Sequence, residues 1–190
     1  MKRFAGMCAL GAFCVALTTS AMAVEISMKI SGPGAVNETT IKAGQKVSFD
    51  VYMANDSSWK GFSIGFQVKS PTIKKVLHPA DSGKGINARG DVKGYNGFQD
   101  KSIWDLSGVF VVDTLWNGTL PDTLGFGGIC VKASYLPHPL QKNLSFDLIF
   151  PEAGIVVVDS SFYPPGGQWL FALPEHHPTW KGPYKFTVVK

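Results

Sequence analysis

From Lys46 to Ala54 the chain alternates strictly, with Val47, Phe49, Val51 and Met53 on one side and Ser48, Asp50, Tyr52 and Ala54 on the other. A period of two is the signature of an extended strand with one face on a core and one facing water. The pattern returns at Gly61 to Lys69, where Phe62, Ile64, Phe66 and Val68 are the inward set, and at Asn143 to Phe150, where Leu144, Phe146, Leu148 and Phe150 are. It closes the chain at Tyr184 to Val189, with Tyr184, Phe186 and Val188 inward. Ile155 to Val158 is wholly apolar, as a central strand can be. Helical periodicity is almost absent. Further strands are expected at Glu25 to Ser31, Ile73 to Leu77, Gly108 to Trp116 and Ile129 to Tyr135.

Turn chemistry separates these runs: Gly32-Pro33-Gly34, Asn55-Asp56-Ser57-Ser58, Pro137-His138-Pro139 and Pro164-Pro165-Gly166-Gly167. The spacing about Asn55 to Ser58 reads as a hairpin between its flanking strands. Many short strands with such punctuation predict an all-β fold, a two-sheet antiparallel β-sandwich, with a closed barrel as the alternative. Ala80 to Asp100 is rich in Gly, Asn and Asp and reads as a long loop insertion.

The first 23 residues read as a cleavable signal peptide: a basic start at Lys2-Arg3, an uncharged apolar stretch from Phe4 to Thr18, and Ala21-Met22-Ala23 as a small-x-small cleavage site. The apolar stretch is shorter than the roughly 20 residues that span a bilayer. The expectation is an exported bacterial protein, periplasmic or secreted, with a single sandwich domain over residues 24–190 and no membrane span after cleavage. The chain carries 18 Lys and Arg against 14 Asp and Glu; Lys2 and Arg3 fall in the leader, so the remainder is +2, scattered, which is no nucleic-acid signature. Of the three cysteines only Cys130 lies outside the leader, so the mature chain has no internal disulfide. Cys130 reads as a buried apolar thiol, the alternative being a nucleophile or an intermolecular link.

Reactive constellations are sparse. Glu175-His176-His177 could offer metal ligands, but neighbours along an extended chain point opposite ways and Pro174 and Pro178 bracket the pair, so no metal or cofactor is expected. Gly61-Phe62-Ser63-Ile64-Gly65 spells a nucleophile elbow inside an alternating strand, where the motif needs a strand-to-helix turn. No spacing singles out a carboxylate pair. Arg89-Gly90-Asp91 spells an adhesion tripeptide, and Asn37, Asn55, Asn117 and Asn143 head glycosylation-type sequons. The aromatics point furthest. Trp59, Trp104, Trp116, Trp169 and Trp180 all sit in or beside turns, where exposed indoles can stack on sugar rings while Asn and Asp fix the hydroxyls. Packing in the core or at a sheet edge is the competing role for each. Trp59, Asn55, Asp56 and Trp104 are the ligand-binding candidates.

Ile41-Lys42-Ala43-Gly44-Gln45-Lys46-Val47, followed by a polar turn and Trp59-Lys60-Gly61-Phe62, resembles the opening of cohesins and related carbohydrate-binding sandwiches. Val158 to Phe171, Trp180-Lys181-Gly182-Pro183-Tyr184 and Leu120-Pro121-Asp122-Thr123 resemble uncharacterised secreted bacterial β-sandwich proteins. In that group cysteines are frequent where this chain has Val157 and Phe186, so a bridge suspected there is missing here. The resemblance implies an immunoglobulin-like or cohesin-like sandwich and assigns no activity. The functional expectation is a non-catalytic extracytoplasmic binding module whose partner is a polysaccharide or another extracellular protein. The alternatives are a carbohydrate-binding module using surface Trp and a hydrolase with a non-local site.

Overall fold

The computed structural model describes residues 24–83, 92–98, 108–112, 116–129, 137–162, 167–173 and 175–190. The expected leader at residues 1–23, Trp104, Cys130 and Arg89-Gly90-Asp91 lie outside the described residues.

The strands form two sheets. The first holds β1 (Val24–Ser31), β4 (Lys46–Asn55), β6 (Tyr95–Phe98), β9 (His138–Ile149) and β12 (Thr179–Trp180), in the order β12-β1-β4-β9-β6. The second holds β2 (Ala35–Asn37), β3 (Thr40–Lys42), β5 (Gly61–Lys69), β7 (Gly108–Val112), β8 (Asp122–Ile129), β10 (Gly154–Ser160) and β13 (Tyr184–Val189), in the order β2-β3-β13-β10-β5-β8-β7. One edge of β5 is shared: β10 takes residues 66–69 and β11 (Leu170–Ala172) takes residues 61–63. Two separate sheets whose outer strands, among the described residues, do not pair with each other make this a sandwich, not a closed barrel. Pairing is antiparallel except for β1 with β12 and β13 with β3, which are parallel. Among the described residues no helix is long and apolar enough to cross a membrane.

The alternating sets meet between the sheets. Val47, Phe49, Val51 and Met53 from β4, Leu144, Phe146 and Leu148 from β9, and Ile64, Phe66 and Val68 from β5 are fully buried. Phe49 stacks on Phe146 at 5.2 Å within its own sheet and meets Phe186 of the opposite sheet edge-on at 5.5 Å. Each such ring pair adds about 0.5–1.5 kcal/mol beyond area burial, so the aromatic seam fixes how the sheets sit on each other.

Three expectations need correction. The turn at Asn55 to Ser58 is no hairpin: β4 lies in the first sheet and β5 in the second, so the chain arches across the core. Two apolar faces of equal strength can face each other across a core as readily as lie side by side, and period-two alternation does not distinguish these. Ile73 to Leu77 is not a strand. Among the described residues it makes only isolated bridges, Lys75 with Thr119 and Leu77 with Ile149. Of the strand expected at Ile129 to Tyr135 only Ile129, the last residue of β8, is described; residues 130–136 lie outside the described set. The stretch read as one loop over 80–100 contains β6, which pairs with β9, and it buries Val92 and Tyr95.

A crossing segment locks the middle of β5. A Cβ on Gly65 would stand 2.9 Å from Gly167 Cα and 2.9 Å from Ser161 O, so only glycine lets the chain pass there. Trp169 holds a left-handed φ of 53°, and its indole N–H is shared between Gly65 O and Ser161 O at 3.1 Å each. Those two bonds, with the indole packed edge-on to Phe66 at 5.7 Å, stabilise a backbone conformation that is unfavourable for a tryptophan.

Candidate functional site

The sugar-stacking site centred on Trp59 does not form. Trp59 is 0% exposed, packed between Phe171 at 5.9 Å and His176 at 5.5 Å, and has no face to offer a ring. The arch that carries it ends one sheet and starts the other, so its large apolar residue turns under the sheet ends. Asn55 is buried and donates through Nδ2 to Ser57 O at 2.5 Å, tightening the arch, while Asp56 is exposed. Trp104 lies outside the described residues. The other described tryptophans also pack: Trp116 is buried, while Trp169 and Trp180 lie half-buried 5.5 Å apart. Of the sequon asparagines, Asn55 and Asn143 are buried and Asn37 and Asn117 are exposed.

A His–carboxylate pair, which no sequence motif marks, is made where three loops meet. His78 Nε2 lies 2.7 Å from Asp122 Oδ2, and the imidazole stacks on Trp116 at 4.3 Å and 3°. Asp122 is fully buried. It also accepts from the amides of Asn117 at 2.8 Å and Gly118 at 3.0 Å, in a turn where Gly118 has a φ of 80°. Successive N–H groups in such a turn form a nest for an anion. Catalysis of the Ser–His–acid type would need a hydroxyl on the imidazole, and among the described residues no serine or threonine bonds to His78. The pair ties residues 76–78 to the turn before β8. His177 is exposed, 2.7 Å from Trp169 O, while His176 packs against Trp59. Among the described residues no three potential ligands gather around a metal position.

The outer face of the first sheet is polar but closed. Ser48 is registered opposite Asp147 and Asp50 opposite Ser145. Asp147 accepts from Ser48 Oγ at 2.6 Å and Ser82 Oγ at 3.2 Å, and Lys142 meets Asp50 at 2.7 Å. Asn96 bridges Gly83 N and Ser145 Oγ. Lys46 reaches Asp81 at 3.0 Å, a bond that raises the ammonium's pKa. These bonds clamp residues 81–83 and β6 onto the sheet.

The outer face of the second sheet is different, because its middle has been stripped of side chains. Cross-strand registers put Gly61 opposite Ile129, Ser63 opposite Gly127, and Gly65 opposite Gly125. With Phe62, Ile64 and Phe66 inward, those residues face out, as do Leu170 and Ala172, which pair with Ser63 and Gly61. The outcome is a groove of about 180 Å³ floored by Gly61, Ser63 and Gly128 and walled by Ile129, Gln168 and Leu170. Ser63 Oγ accepts from Gln168 N at 3.0 Å, so the hydroxyl of the false elbow fixes the groove wall. Ile129 is 51% exposed at one side, and Leu173, just beyond β11, is 73% exposed. The glycines of β8 were the available sequence signal for this surface.

No family model matches the chain, and no curated protein matches it either. Among solved structures it is similar to one chain of a CaDoc0917–CaCohA2 complex, at 13% identity and a TM-score of 0.43 over 88% of this chain and 99% of that one. It is also similar to a type II cohesin domain from the cellulosome of Acetivibrio cellulolyticus, at 12% identity and a TM-score of 0.47 over 87% of this chain and 94% of that one. Both are distant likenesses of a β-sandwich fold.

Proposed function

We propose that the chain is an exported, non-catalytic interaction module that binds another extracellular protein through the outer face of its second sheet. The observation that carries this reading is the glycine-floored groove between Ile129 and Leu170. Bare backbone at the centre of a sheet face lets a partner approach closely, and exposed aliphatic side chains beside it supply apolar contact. Size favours a protein over a small molecule. Pockets for drug-sized ligands run about 300–1,000 Å³, so a groove of about 180 Å³ accepts one or two projecting side chains. Export is supported by the leader pattern, whose cleavage site falls immediately before Val24, the buried first residue of β1.

The test is a photo-crosslinking residue at position 173, beside the groove, in protein incubated with the extracellular fraction of the source cells. A discrete crosslinked partner, lost in an Ile129→Glu variant of unchanged circular dichroism, is the expected result. A partner captured equally by Ile129→Glu, or specific turnover of a substrate by the purified protein, refutes the reading.

A further inference from the structure

The first sheet ends in a strand that is only partly covered. β12 pairs with β1 at two positions, Glu25 with Thr179 and Ile26 with Trp180, and Lys181 N then donates to Ile26 O at 3.0 Å. After that the chain leaves through Gly182-Pro183 to start β13 in the other sheet. From Ser27 to Ser31, β1 has β4 on one side and, among the described residues, no strand on the other. Because Ile26 turns its carbonyl to this edge, the alternation of a strand turns the N–H and C=O of Met28 and Ile30 the same way. Their side chains point inward: Met28 is 3% exposed and Ile30 packs against the core.

A groove of about 500 Å³ runs along this edge, lined by residues 27–30 of β1 and closed on the far side by Glu38, Thr39 and Tyr184. We propose that this seam is a strand-acceptor site, and that its occupant is an extended segment of another protein, running parallel to β1 and carrying a Lys or Arg toward Glu38. Three observations select that occupant. The edge already holds a parallel strand, β12, at its first two positions, and a guest continues the same ladder. Glu38 is exposed and has no cationic partner among the described residues, whereas Lys29 already lies over the Tyr52 ring at 5.2 Å. A second copy of this chain fits poorly. Two β1 edges paired antiparallel about the middle of Ser27 to Ser31 would set Lys29 directly opposite Lys29 of the copy, and like charges directly opposite destabilise a strand pair. This surface shares no residue with the groove beside Ile129, so it stands or falls separately.

The probe is a synthetic heptapeptide alternating Val and Thr with one central Arg, titrated into the purified protein while amide hydrogen exchange is followed by NMR. Without peptide, the Met28 and Ile30 amides are expected to exchange faster than those of Ser27 and Lys29, which face β4; with peptide they should become protected. N-methylation of the peptide's alternate amides should abolish that protection, and Glu38→Lys should weaken binding about tenfold, equivalent to about 1.4 kcal/mol. Ile30→Pro removes an edge donor and should prevent protection at Met28; if that variant does not fold, Glu38→Lys and the N-methylated peptide still decide. The proposal is overturned by unchanged exchange at millimolar peptide, or by equal binding to Glu38→Lys. It is also overturned if the Met28 and Ile30 amides are already protected in a dimer that light scattering detects.

Discussion

Removing the Asp122 carboxylate should be among the most damaging single changes outside the aromatic core. The group is 0% exposed and accepts three hydrogen bonds, from His78, Asn117 N and Gly118 N. Asp122→Ala leaves two backbone amides and an imidazole N–H without an acceptor in a dry site. Hydrogen bonds to a charged group are worth about 1.5–3 kcal/mol each, but they share one acceptor and do not add. Leaving a buried donor unpaired costs about 1–3 kcal/mol, and with three donors sharing one acceptor we expect a total loss of about 3–5 kcal/mol. At about 2–4 °C per kcal/mol for a domain of this size, the melting point should fall by roughly 10–15 °C. Asp122→Asn keeps one acceptor oxygen and should lose about half as much. His78→Ala leaves the carboxylate in its two-amide nest and should cost about 1–2 kcal/mol. In urea titrations the His78→Ala/Asp122→Ala double variant should lose less than the two single variants together, by about 1 kcal/mol or more. An Asp122→Ala loss below about 1 kcal/mol with an unchanged urea slope would refute this reasoning, because the turn would then not depend on the carboxylate.

Trp59→Ala should cost about 3–5 kcal/mol in chemical denaturation, as an indole fully enclosed by Phe171 and His176 is lost. A folded, fully stable Trp59→Ala variant would contradict the burial. Burial pushes the Tyr95 phenol's pKa upward from about 10. The folded state therefore favours the neutral phenol, and that stability is whole below about pH 10 and drains away as pH rises further. Tyr95→Phe should flatten the alkaline limb of a stability–pH curve and leave the slope due to Lys46, whose pKa is also raised; an unchanged limb would count against it. Gly65→Ala forces a methyl against two backbone atoms and should destabilise by about 1–3 kcal/mol, with loss of the Trp169 near-ultraviolet signal as its local marker.

Strand existence was legible wherever one face was uniformly apolar. β5 and β13 match their expected spans, and β4 runs one residue further than expected. What alternation cannot encode is the neighbour of each strand. The arch at Asn55 to Ser58 and a hairpin require the same residues, and only the match of two whole sheet faces decides between them. β8 was hidden for a different reason: Gly125, Gly127 and Gly128 remove the alternation that reveals a strand. β6 was hidden because it is only four residues long and interrupted by Gly97, too short for alternation to show; Tyr95 anchors it in the core, and Asn96 and its ladder to β9 hold it. The sequence order of residues also says little about clusters such as His78, Trp116 and Asp122, which span 44 positions and meet only after both sheets exist.

The two proposed surfaces are chemically opposite. On the second sheet, side chains have been removed from the centre of a face, and what is offered is closeness: a partner's projecting residue meets backbone already satisfied within its own ladder. Apolar contact sets the strength there, so binding should weaken little with salt. On the first sheet, backbone hydrogen bonds themselves are offered along β1, and a guest is recognised by its extended shape and by one charge near Glu38. That contribution is exposed and screened, so its affinity should fall as ionic strength rises and the Debye length shrinks below about 8 Å. A partner whose capture through position 173 survives high salt while peptide protection of Met28 and Ile30 does not would show two independent interfaces. If both respond identically to salt, the division into an apolar face and a hydrogen-bonding edge is wrong.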